Sequence, residues 1–161
     1  EALDALDRVV PPRFAQRVPL SPQEVQRQVV ASDALRALGR TDDAVERARI
    51  ALALVEAAPT RRYYPALEAD AAGRLGSALL QRGAAADARP LLERSAAMRA
   101  EIDVPTSPWL ADARLALAAC LRALGEPAPA AELERSARAA TAQWPLGRHF
   151  RVAGLAGAPR R

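Results

Sequence analysis

The chain contains no lysine and no asparagine, one cysteine, one histidine and six aromatic residues in 161. Each shortage closes a class of chemistry. Without lysine there is no Schiff base, no phosphate-loop cation and no lysine general base. A single Cys120 and a single His149 build neither a disulfide framework nor a zinc site. No stretch approaches the roughly 18 apolar residues that a membrane-spanning helix requires, and no charged-then-apolar leader stands at the front. What is abundant is alanine, 40 residues, and arginine, which supplies all 23 basic side chains against 19 acids. Alanine, leucine and arginine favour helix, and nothing alternates with the period of a strand. The sequence therefore predicts an all-α protein.

The charge is unevenly placed. All 19 acids and 19 of the arginines precede residue 148. The net charge of +4 is carried by Arg148, Arg151, Arg160 and Arg161. The body is neutral, and the high isoelectric point is poor support for a nucleic-acid groove. A chain starting at Glu1 rather than Met is expected to be a piece of a longer or processed protein. A lone cysteine gives no reason to invoke an oxidising compartment, so the expected location is cytoplasmic.

The organisation is a repeat. Gly39, Gly83 and Gly125 each close a helical run, spaced by 44 and 42 residues. Counted from these glycines, Leu35, Leu79 and Leu121 lie four before, and Ser32, Gly76 and Ala118 seven before. Ala44, Ala88 and Ala130 lie five after, and Ala51, Ser95 and Ala137 twelve after. Ser21-Pro22 and Ser107-Pro108 supply a cap followed by proline at the first helical position, and Ser21 to Glu24 reads as a capping box. Thr41 is a candidate cap for the second helix of the first unit. The pattern predicts three helix pairs: 22–38 with 42–57, 66–82 with 85–102, and 108–124 with 128–143. Leu92–Ala96 recurs as Leu133–Ala137 at an offset of 41, which implies that the last unit loses one residue near Pro127 and Pro129. The small residues at facing positions let the helices of a pair approach closely, with leucines filling the gaps. The expected domains are 1–20, the remnant of a preceding helix and a linker; 21–146, the repeat body, in units 21–64, 65–106 and 107–146; and 147–161, a basic tail.

This layout resembles the tetratricopeptide repeat. The spacing exceeds the usual period of 34 and is similar to the longer repeats of kinesin light chains and of many bacterial signalling proteins. Ala88-Arg89-Pro90-Leu91-Leu92-Glu93-Arg94-Ser95-Ala96 is the stretch most similar to that group's signature. The resemblance implies an α-solenoid, a right-handed superhelix of helix pairs, whose first helices line a concave groove for peptides or protein segments. By repeat position it places Gln26, Asp33 and Arg36, then Asp70, Gly73 and Ser77, then Asp112, Leu115 and Arg122 in that groove. Helical spacing agrees for the first unit, where 26, 29, 33 and 36 share a face opposite Ala31, Leu35 and Leu38. Arg36 and Arg122 share a repeat position and suit one acidic ligand. The lysine–asparagine clamp with which chaperone-binding members hold a terminal carboxylate is missing in its known form.

Enzymatic readings are weak. Asp42, Asp43 and Glu46 suit the positive end of a helix better than a metal or an acid–base pair. Cys120 falls at a small-residue position and reads as a buried thiol. Arg61-Arg62-Tyr63-Tyr64 is the one cluster that suits nucleic acid, against a reading in which the tyrosines cover the seam between units. Trp109 and Trp144 are likewise expected to fill junctions. The function expected is a non-catalytic interaction scaffold without cofactor or metal, part of a larger bacterial signalling or regulatory protein. Nucleic-acid binding and self-association through the end units are the alternatives.

Overall fold

A computed structural model describes residues 21–142, and among these the chain forms six α-helices and no strand. The helices are α1 (Pro22–Ala37), α2 (Thr41–Glu56), α3 (Pro65–Gln81), α4 (Ala85–Ile102), α5 (Pro108–Ala123) and α6 (Pro127–Ala142), with a 3-10 turn over Arg61–Tyr63. Each odd-numbered helix pairs with the even one that follows, and each pair stacks on the next. The expectations for the preceding remnant, for the basic tail and for Trp144 and His149 fall outside the described residues.

The helix starts follow local chemistry. Ser21 and Ser107 sit in extended conformation and accept hydrogen bonds from the amides of Glu24 (3.3 Å) and Leu110 (3.4 Å), with proline next in line. Only half of the capping box forms at Ser21, because the Glu24 carboxylate turns to Arg27 (2.6 Å) and Gln28 (2.8 Å). Thr41 is not a cap: it is the first residue of α2, and Arg40 holds the cap position without a side-chain bond.

The three glycine turns are copies of one another. Gly39, Gly83 and Gly125 have φ of +74°, +91° and +80°. The amide after each glycine bonds the carbonyl of Leu35, Leu79 or Leu121 at 2.8–2.9 Å, and the glycine amide bonds that of Arg36, Leu80 or Arg122 at 3.0–3.1 Å. This double bond pattern ends a helix through a left-handed residue. The repeated leucines thus mark the carbonyls that close each turn as well as apolar positions.

Within each pair the small residues meet. Ser32 donates to the Ala44 carbonyl at 2.9 Å. A Cβ on Gly76 would stand 2.6 Å from Leu92 Cγ and 3.2 Å from the Ala88 carbonyl oxygen. Ala44, Ala88, Ala118 and Ala130 are fully buried. Between pairs, Cys120 Sγ lies 3.3 Å from the Ala85 carbonyl, and burial pushes its thiol pKa up, which suits an inert packing role.

Three expectations are corrected. The last unit loses no residue: all three intra-pair connections span three residues, and Ala130 and Ala137 are buried at the positions of Ala88 and Ser95. The 41-residue echo is therefore out of register, and Leu133 is only partly buried where Leu92 is enclosed. The aromatic residues do not fill seams: Tyr63 is 64%, Tyr64 38% and Trp109 56% exposed. Val29 does not face the groove with its helical neighbours but lies in the core, and Leu38, placed on the buried side, is largely exposed at the end of α1.

Candidate binding groove

The first helices of the three pairs, α1, α3 and α5, lie side by side and touch in that order. Their shared face carries a line of charge centred on Arg74 of α3. Its Nε lies 3.3 Å from a carboxylate oxygen of Asp33 on α1, and its charge also acts on Asp112 of α5. Arg36 completes the α1 side, 3.4 Å from Asp33. Its Nε donates to Gln81 Oε1 at 3.1 Å, and Gln81 Nε2 returns a bond to the Arg36 carbonyl at 3.0 Å. Burial lowers the Arg36 pKa, with Asp33 opposing and Arg74 adding to the shift. Asp112 is raised above the usual aspartate value by burial, against a smaller pull from Arg74. Next to this line, Pro22, Gln23, Gln26, Arg27, Val30 and Leu67 border a shallow open depression of about 580 Å³.

The structure sorts the nine residues expected here. Gln26, Asp33, Arg36 and Asp112 belong to the face just described. Gly73 does not: a Cβ there would stand 2.8 Å from Ser95 Oγ, so the glycine serves the contact with α4. Ser77 is buried, and Leu115 packs against Ala111, Ala137 and Ala140. Asp70 is held by Arg99, which also reaches Asp103 (3.5 Å) and the Ala66 carbonyl (3.3 Å). Arg122 is exposed, and Glu134 binds it through two bonds of 2.7 and 2.9 Å. Hydrogen bonding raises the Arg122 pKa and lowers that of Glu134. Arg36 and Arg122 therefore each already have an acid partner within the chain, Asp33 and Glu134.

Arg74 and Gln81 escaped the sequence reading because they have no repeated counterpart. Counted from the closing glycine, Arg74 matches Val30 in the first unit and Ala116 in the third. A search for repetition passes over such a residue. The signal available was its charge at a position where the other two units carry none.

Other candidates resolve into structure. Asp42 and Asp43 occupy the first turn of α2, where Asp43 pairs with Arg40 at 2.7 Å, and Glu46 pairs with Arg49 at 3.0 Å. Among the described residues no group of three or more His, Cys, Asp or Glu side chains is placed to hold a metal ion. Arg61 is bound to Glu68 at 2.7 Å, while Arg62 lies over the Tyr63 ring at 4.7 Å. Among the described residues no helix is long and apolar enough to cross a membrane.

Stacked helix hairpins with glycine-closed turns define an α-solenoid of repeated helix pairs. Residues 67–143 match the model of the tetratricopeptide repeat family, so this stretch belongs to that family, whose repeats generally mediate protein–protein interaction. No curated protein matches the chain.

Proposed function

We propose that this is a non-catalytic scaffold that holds a peptide or protein segment on the face formed by α1, α3 and α5. The observation that supports it most is the Asp33–Arg74–Asp112 line, in which Arg74 pairs with Asp33 on one neighbouring first helix and acts at longer range on Asp112 of the other. A face so composed presents polar groups at fixed spacing along three rigid elements, which is what holding an extended segment requires. The helix pairs of the long type, 42–44 residues between glycines, support the kinesin-light-chain-like subtype. With the arginine-only, alanine-rich composition they support a place in a larger bacterial signalling protein of the cytoplasm.

A photo-crosslinking residue at Gln26 is expected to capture a partner that the same residue at Arg49, on the exposed side of α2, does not. Equal capture at both positions would dismiss the groove. The exposed Tyr63 and Tyr64 with Arg62 support a second reading, single-stranded nucleic acid. It requires a fluorescence-anisotropy response to an oligonucleotide that disappears with salt.

A further inference from the structure

On that reading of the groove, we infer that the bound segment presents a basic side chain, arginine or lysine, to the Asp112 carboxylate and the Trp109 indole on α5. The argument starts from which charges on this face are already matched. Asp33 is held between Arg36 and Arg74, Asp70 by Arg99, and Arg122 by Glu134. Arg36, Arg74, Arg99 and Arg122 are thus each in an ion pair and are not free for an acidic ligand.

Asp112 is different. No hydrogen bond or ion pair joins it to another described residue; Arg74 acts on it only at longer range. Two other described acids, Asp87 and Glu101, also lack such a partner, but both are exposed to solvent. Asp112 is partly buried, so its carboxylate is short of water and gains more from an incoming donor than a hydrated acid does.

Trp109 lies one helical turn before Asp112, at a spacing that makes two side chains neighbours on a helix surface. Its side chain is 56% exposed, although indole is among the side chains that gain most from burial. A flat π-face beside a carboxylate suits a cation with an apolar stem: the charge meets the acid and the ring quadrupole, and the stem covers the indole.

The test uses the full chain carrying Trp144→Phe, which leaves Trp109 as the single indole. The probes are the blocked tripeptides Ala-Arg-Ala, Ala-Lys-Ala and Ala-Glu-Ala, followed by indole fluorescence and by backbone amide shifts. The arginine and lysine peptides are expected to give a saturable response with shifts along α3 and α5. Asp112→Asn should weaken that affinity about tenfold, and Trp109→Ala should weaken the shifts comparably. Arg49→Gln should leave them unchanged. Preference for the glutamate peptide, or an affinity indifferent to Asp112→Asn, overturns the inference while the groove stands. Absence of any saturable shift on α1, α3 and α5 with all three peptides overturns the groove as well.

Discussion

The fit between Gly76 and Leu92 shows how a single residue sets the distance between two helices. Leucine enters α3 at the point where α3 has no side chain, and the space left for a Cβ is 2.6 Å. Gly76→Ala should raise helix propensity by about 1 kcal/mol yet destabilise the fold by about 1–3 kcal/mol, because overpacking dominates. Urea denaturation reads the sum. Pairing the change with Leu92→Ala removes the clash, so the two effects should be strongly non-additive; simple additivity would mean that the pair does not meet. Asp112 offers the opposite case. Its folded pKa is raised above the ordinary 3.8, so the protonated form is favoured by the fold, and that stability is lost as pH rises through the raised value. Asp112→Asn should then stabilise the neutral-pH protein by about 0.5–1 kcal/mol, and the advantage should vanish in acid. Stabilisation joined to weaker binding of a basic peptide would mark Asp112 as retained for recognition rather than for folding.

Between elements the telling feature is a chain of charges that no repeat pattern predicts. Glu56 at the end of α2 meets Arg94 of α4 at 2.6 Å, Arg94 meets Glu68 of α3, and Glu68 meets Arg61 of the 3-10 turn at 2.7 Å. Glu68 is buried, which by itself would raise its pKa, but hydrogen bonds from Arg94 and Arg61 hold it below the ordinary 4.5. For a depressed acid the stabilisation is present above 4.5 and is lost as pH falls through the folded value. The Tm is therefore expected to decline steeply below about pH 4.5 in the natural chain. In Glu68→Gln it should decline less, from a starting stability lower by about 1–3 kcal/mol. Parallel pH profiles for the two proteins would remove the network from the account. This chain also explains what was legible in the sequence. Glycines, facing alanines and leucines are imposed by a turn or a contact that every unit shares, so they recur and can be counted. Arg61, Glu68, Arg74 and Arg94 serve particular junctions that the other units do not copy. Their partners lie on other helices, at separations that only the stacked structure reveals. The same holds for Trp109, Tyr63 and Tyr64, whose size suggested burial but whose side of the solenoid was not written in the spacing.

Across the described residues burial peaks in α3, with six buried residues in each of α1, α2 and α5 and four in α4. Nine residues of α3 are buried, against three of α6, two of which, Ala137 and Ala140, form a small separate cluster with Ala111 while Ala130 joins the main core. At the other end, Ala34 of α1 is exposed, whereas its counterparts Ala78 and Cys120 are enclosed between their own unit and the one before. A stack in which each pair contacts only its neighbours draws its stability from those interfaces, and among the described helices the outer ones have one fewer. Opening should therefore run inward from the ends rather than strike the array at once. Hydrogen exchange under native conditions is expected to show the slowest amides in α3 and α4, intermediate protection in α2 and α5, and the fastest exchange in α1 and α6. A basic peptide seated across α1, α3 and α5 should slow α1 and α5 most, because those helices have most protection to gain from a ligand tying them to α3. Protection that is uniform over all six helices would mean that the array opens as one unit, and the graded picture would then have to be abandoned.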